Sequence, residues 1–339
     1  MSSAAPPAVS RRAAFRMLAA LAACRPSLDA RSPIEAPRER LMIDSAVDLA
    51  PAAGLEWLAE VRCRELIADP VTRAPIGVVV PDAGFRTFAD RRGGLDLRTA
   101  EELVVAGYRR STLALLRTRF EPSRVEAAAT SSAVEVSERT AEHDIVRFSM
   151  TVGDHAERVA LFGGSLVALE RGEPGPLRAA EYFAEGRLRR SHPALHAEPL
   201  LAAAALLGPA PLRIFAAGPF EGKWAAGAAG LLGGATAVGA SMQPSTQGTG
   251  AGRGLAVRIV LLGGWGDDAA KAADRLRSAY GVLAADPLGR LTGLDQPIDG
   301  PRTSGDAGAL CLDVTVDAMT LARGLRAATG GTLDEIIGS

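Results

Sequence analysis

Apolar and polar positions along this chain change period several times, and the changes mark out its elements. Leu212-Arg213-Ile214-Phe215-Ala216, bounded by Pro211 and Gly218-Pro219, reads as a short strand. The Ala/Leu-rich run from Lys223 to Leu232 follows as a helix weakened by two glycines. Residues 236–242 and 255–262 then form a hairpin around a glycine-rich loop, Gln247 to Gly254. From Asp267 the positions Ala269, Ala273, Leu276, Tyr280 and Leu283 recur at helical spacing, while Lys271, Asp274, Arg275 and Arg277 point outward. The run Ala309 to Val316 alternates: Leu310, Leu312, Val314 and Val316 fall on one face, and Cys311, Asp313, Thr315 and Asp317 continue the other.

The first half of the chain has a comparable order. Leu55 to Arg62 is a strand in which Trp57, Ala59 and Val61 share a face that Cys63 continues. A segment from Pro75 to Asp90 becomes helical near its end, 102–108 and 112–119 pair as a hairpin, and Pro122 opens a short helix through Ala129. Four strands at 133–139, 144–152, 156–162 and 165–170 make a meander in which Val146, Phe148, Met150 and Val152 alternate with Arg147, Ser149 and Thr151. Two helices, 176–188 and 193–207, join the halves. The expected fold is therefore α+β: two ferredoxin-like βαββαβ repeats, 55–171 and 212–339, with antiparallel sheets covered by helices on one face and a helical connector at 172–211. Repeat identity rests on element order alone.

The 339 residues and 47% apolar content are enough for two cores. A formal charge of −1, from 38 basic and 39 acidic residues, provides no global field for nucleic acid, and the 4% aromatic content argues against stacking surfaces. Cys24, Cys63 and Cys311 have no C-x-x-C spacing, so neither a zinc ribbon nor a thioredoxin-like motif is expected; Cys63 and Cys311, on opposite strand faces, are expected to be free.

Candidate chemistry is sparse. His192 and His196, four apart on a helix, could face one metal ion, and the Glu198 carboxylate could complete the set, which is the basis for an alternative reading as a metal-dependent hydrolase. His192 precedes Pro193 and no His-Glu-x-x-His occurs, so surface histidines are the preferred reading. Gly263-Gly264-Trp265-Gly266-Asp267-Asp268 sits between strand and helix, where phosphate can bind, but its two acids oppose an anion; Asp267 reads as a helix N-cap. Ser165 begins a strand and is no nucleophile elbow. Asp313, Thr315 and Asp317 form a wet row suited to water or a cation. No cofactor is expected, and no catalytic residue is assigned.

The N-terminus carries a location signal. Arg11, Arg12 and Arg16 precede Met17-Leu18-Ala19-Ala20-Leu21-Ala22-Ala23-Cys24, and the Leu-Ala-Ala-Cys ending resembles a bacterial lipobox; Ser10-Arg11-Arg12-Ala13-Ala14-Phe15 is similar to a twin-arginine signal, with Phe15 one position late. With the Arg/Ala-rich body, this start resembles uncharacterised predicted lipoproteins of high-GC bacteria. The resemblance covers about the first thirty residues. It implies lipidation of Cys24, a signal-like segment at 1–24, a proline-containing linker at 25–54, and attachment to the membrane on the periplasmic side of the cell envelope. Arg16 interrupts the apolar run, so a cytoplasmic chain with a tail is the alternative. The functional expectation is a non-catalytic envelope lipoprotein that binds a protein partner or small ligand on its wet sheet faces or at the seam between repeats, with no nucleic acid involved.

Overall fold

The structure, a computed structural model, describes residues 41–133, 135–187, 192–245 and 254–329. Residues 1–24, Cys24 among them, and most of the glycine-rich loop lie outside the described residues.

The strands are β1 (Leu55–Val61), β2 (Glu102–Tyr108), β3 (Ser111–Arg117), β4 (Glu135–Glu142), β5 (Ile145–Val152), β6 (His155–Phe162), β7 (Leu166–Gly172), β8 (Leu212–Ala217), β9 (Ala235–Ser245), β10 (Gly254–Gly263), β11 (Asp299–Gly305) and β12 (Ala309–Asp317). They form one 12-stranded sheet in the order β11-β12-β10-β9-β8-β1-β2-β3-β7-β6-β5-β4. Every ladder between neighbours is antiparallel. The α+β class and antiparallel pairing agree with the sequence. The arrangement within them differs in three respects.

First, the halves do not build two sheets. β1 and β8 pair directly, with Leu58 opposite Phe215 and Glu60 opposite Arg213, so the sheet runs through the junction. Second, the order is not the ferredoxin-like one, which requires parallel crossover neighbours. Outward from the junction the first half reads β1-β2-β3-β7-β6 and the second β8-β9-β10-β12-β11, the same succession mirrored, with β5 and β4 added beyond β6. Element order along the chain cannot distinguish these orders, because both place a strand before a hairpin and a helix after it.

Third, helices lie on both faces. Helices α1 (Cys63–Ala68), α2 (Pro70–Val79), α3 (Asp82–Arg91) and α4 (Pro122–Ser132) cover one face of the first half; α7 (Ala269–Ala285), α8 (Pro287–Leu291) and α9 (Ala318–Thr329) lie on the second half's side of it. The connector helices α5 (Pro176–Ala184) and α6 (Leu200–Leu207) lie on the opposite face, where Leu177, Ala180, Leu200, Ala203 and Leu207 pack with Leu58, Leu113, Phe162 and Phe215. Alternation along the strands explains this division. Phe148, Met150 and Leu161 point to the first face, whereas Leu58, Leu115 and Phe215 point to the second, so both need cover.

The expected linker is partly core. Ala46, Val47, Leu49 and Ala50 are buried, and a 3-10 turn at Val47–Leu49 lies against the connector face. Buried Glu102 fixes it by accepting hydrogen bonds from Ser45 Oγ at 2.7 Å, Ala46 N at 2.8 Å and Val47 N at 3.2 Å. Tyr108 donates its hydroxyl to Pro51 O at 3.0 Å. Four small apolar residues among charges and prolines have no period, which conceals them in the sequence.

The helix expected at 223–232 is turns followed by a 3-10 segment at Leu231–Gly234, with Ala228, Ala229 and Gly230 at positive φ, a backbone that ends helices. Conversely α2 continues through Pro75, capped by Asp69, whose carboxylate accepts from Val71 N at 2.7 Å.

Candidate functional site

On the connector face, α5 and α6 cover the centre of the sheet and leave its flanks open. The first-half flank is a charged cleft of about 650 Å³ between β4–β7 and α5. Strand register assembles its floor: Arg147 pairs with Thr140 of β4 and Ala160 of β6, and Arg158 pairs with Ser149 of β5 and Glu170 of β7. These side chains share the sheet face on which Leu113 and Phe162 are buried nearer the centre. One wall is α5, which supplies Arg178, the largely buried Glu181, Tyr182 and, just past its end, Glu185.

Two arginines organise the carboxylates. Arg147 Nε donates to Glu181 at 2.8 Å, and its Nη atoms lie 3.5 Å from Glu185 and 3.8 Å from Glu142. Arg158 Nη1 donates to Glu170 Oε2 at 3.0 Å and also to the Gly172 carbonyl. The other Glu170 oxygen accepts from Gly175 N at 3.1 Å and Leu177 N at 2.9 Å, so an almost wholly buried carboxylate caps α5 with the charge its N-terminus favours. Burial raises the Glu181 carboxyl above the ordinary carboxylate value; Arg147 pulls it down, and Glu185 and Glu170 push it up. At the rim the Arg178 and Arg187 guanidinium carbons lie 5.5 and 5.0 Å from the Tyr182 ring centre.

The second-half flank repeats the design on a smaller scale. A cleft of about 340 Å³ is lined by Ser241, Gln243, Arg258, Arg302, Asp313 and Thr315. Arg258 Nε donates to Asp313 at 2.7 Å, which places this carboxylate of the expected wet row in an ion pair. Asp317, its neighbour in that row, is used otherwise: its carboxylate accepts from Thr320 N and Thr320 Oγ1, both at 2.7 Å, and so caps α9.

The seam between the halves, an expected binding place, is closed. Leu58 and Phe215 are fully buried there, and Arg213 Nη2 donates to buried Glu60 at 2.5 Å.

His192, His196 and Glu198 are not assembled into a metal group. Among the described residues no set of three or more His, Cys, Asp or Glu side chains is placed to hold an ion. Pro193 makes an isolated bridge to Pro51, and the chain then forms a 3-10 turn at Ala194–His196, so the helical spacing that would align 192 with 196 never arises. His196 Nε2 instead lies 3.2 Å from Asp48 Oδ1. Burial raises the Asp48 carboxyl, and His196 opposes that shift. At the other glycine-rich turn, Gly266–Asp268 is a 3-10 segment and α7 begins at Ala269; Asp267 is not the cap, and Asp268, at the N-cap position, makes no capping bond but pairs with Lys271 at 3.0 Å. Cys63 and Cys311 are free, the first buried and the second half-buried, and burial pushes the Cys63 thiol up to about 12.

No family model, curated protein or solved structure matches the chain. The site therefore rests on its own chemistry. Its wet strand faces were legible as the alternation of Arg147, Ser149 and Thr151. Its closure was not, because Glu170, Glu181 and Glu185 belong to segments whose positions relative to β5 depend on the sheet order.

Proposed function

We propose that the chain is a non-catalytic protein of the cell envelope, anchored by lipid at Cys24, that holds a small polar ligand in the cleft beside α5. The observation that carries the binding part is the composition of the cleft: five glutamates (138, 142, 170, 181 and 185) and four arginines (147, 158, 178 and 187) line it beside an aromatic ring. Nearly balanced charge favours a ligand bearing both signs, or many hydroxyls, over a simple ion. Arg147, between Glu181 and Glu185, is the group such a ligand's anionic end would recruit, and the glutamates receive its cationic end. The mirrored strand succession supports duplication of one ancestral unit, with the first copy keeping the larger cleft.

The anchor rests on the N-terminal sequence. Acyl chains contribute about 0.8 kcal/mol per buried methylene, so a tether needs no spanning helix. Among the described residues no helix is long and apolar enough to cross a membrane.

Two measurements test the reading. On cell fractionation, wild type should partition with membranes and Cys24→Ser should move to the soluble fraction; if both are soluble with residues 1–23 retained, the anchor is refuted. In a thermal-shift screen of zwitterions and polyols, stabilising compounds should lose their effect in Arg147→Met. An unchanged shift in that variant would move the ligand out of this cleft.

A further inference from the structure

On the opposite sheet face, α3 and α4 do not fill the space they cover. A cavity of about 70 Å³ lies beneath them, lined by Phe88, Leu97, Leu116, Ala129, Met150 and Val159, among other apolar residues. That is several times the roughly 10–15 Å³ one ordered water requires, and the apolar wall gives waters few partners. Among the described residues, the charged groups that line it are Arg92 and Arg171.

Both contact Glu157, which is 1% exposed. Arg171 satisfies one carboxylate oxygen: its Nε and Nη2 lie 2.8 and 2.6 Å from Oε1. The other oxygen, Oε2, has no hydrogen-bond partner, and Arg92 Nη1 stays 3.7 Å from it. Arg92 is thus held at the cavity by charge without spending its donors, and its side chain is only 22% exposed. Two guanidinium groups against one carboxylate leave a formal charge of +1 at one end of an apolar space.

We propose that this cavity is a binding site for a small carboxylate with an apolar body, such as a short aliphatic or aromatic acid, whose tail displaces water from between α3, α4 and the sheet while its carboxylate accepts from Arg92. The planar fork of donors on Arg92 suits a carboxylate, and its attraction to Glu157 keeps it from swinging into solvent when the site is empty. An apolar enclosure with one oriented polar group is the usual composition of a small-molecule site. The site is independent of the cleft beside α5, from which it is separated by the sheet, so either can fail alone.

The test is calorimetric titration of the full chain with hexanoate, hexanol and hexylamine. Hexanoate should bind at least about tenfold more tightly than either isosteric control, the scale expected of one charge-assisted contact. Arg92→Met should reduce hexanoate to the level of hexanol, Arg92→Lys should retain part of the preference, and Ala129→Leu, which fills the cavity, should remove all binding. The proposal is overturned if hexanoate binds no better than hexanol, or if it binds Arg92→Met or Ala129→Leu as it binds wild type. Should Arg92→Met fail to fold, Ala129→Leu and Arg92→Lys still decide the matter.

Discussion

Glu181 illustrates how a single side chain here serves structure and site together. It sits on the buried side of α5 yet takes a hydrogen bond from Arg147 across the cleft. Because burial raises its carboxyl above the ordinary 4.5, the folded protein holds that proton more tightly than the unfolded chain does. Its contribution to stability is therefore complete below about pH 4.5 and is lost as pH rises through the folded-state value. Wild type should lose stability relative to Glu181→Gln as pH is raised from about 4.5 toward neutrality. Urea midpoints of the two proteins compared across that range check this; a constant difference would show that Glu181 titrates alike in both states. Glu102 and Glu170 are buried acids too, but they bind backbone amides, and both were silent in the sequence because their partners are 55 and 7 positions away at the relevant contacts.

At the scale of elements, the connector helices show what sets their distance from the sheet. Gly239 of β9 lies under α6, and a Cβ built there would meet Leu207 Cδ1 at 2.8 Å. The Leu207 side chain of α6 therefore occupies the space that a Cβ at position 239 would take. Gly239→Val must push α6 away or force Leu207 off its rotamer, an overpacking cost of about 1–3 kcal/mol. A lowered urea midpoint, partly restored by adding Leu207→Ala, would confirm the contact; no change in Gly239→Val alone would refute it. A similar close approach fixes Trp57 against β2, since a Cβ at Gly107 would fall 2.1 Å from Trp57 Nε1. That ring is 38% exposed and lies over a glycine, while its neighbour Leu58 is fully buried. The face assigned to Trp57, Ala59 and Val61 is therefore the more exposed side of β1, and the buried side belongs to Leu58 and Glu60.

For the whole molecule, the junction decides cooperativity. The β1–β8 ladder joins the halves, and one apolar cluster holds Leu113 and Phe162 from the first half together with Phe215 and Val260 from the second. On the other face Arg326 of α9 donates to Val78 O at the start-half helix α2, at 2.7 Å. The halves should therefore unfold together. Variants retaining fluorescence from Trp57 alone or from Trp265 alone should give coincident urea midpoints; separate transitions would mean that the halves are independent. The outer edges of the sheet are protected in different ways. β4 carries Glu135, Glu138, Arg139 and Glu142 along a largely exposed strand, and β11 breaks register between Asp299 and Arg302 around Pro301. Charge and irregular pairing at edges disfavour sheet extension by another chain.

By itself the sequence determined the strands of the meander, the β2–β3 hairpin, the amphipathic α7, and the two-faced character of β5 and β12. These depend on local periodicity, which each segment carries in its own residues. Tertiary structure alone decided that the two units share one sheet, that strands run β1-β2-β3-β7 and not in crossover order, that helices cover both faces, and that residues 46–50 belong to the core. Strand order is a choice among pairings that satisfy the same alternation equally well, and it is settled by which faces can be buried at once. The clefts, the apolar cavity and the carboxylates around Arg147 inherit that choice, since residues far apart in the chain meet there only after the sheet is ordered.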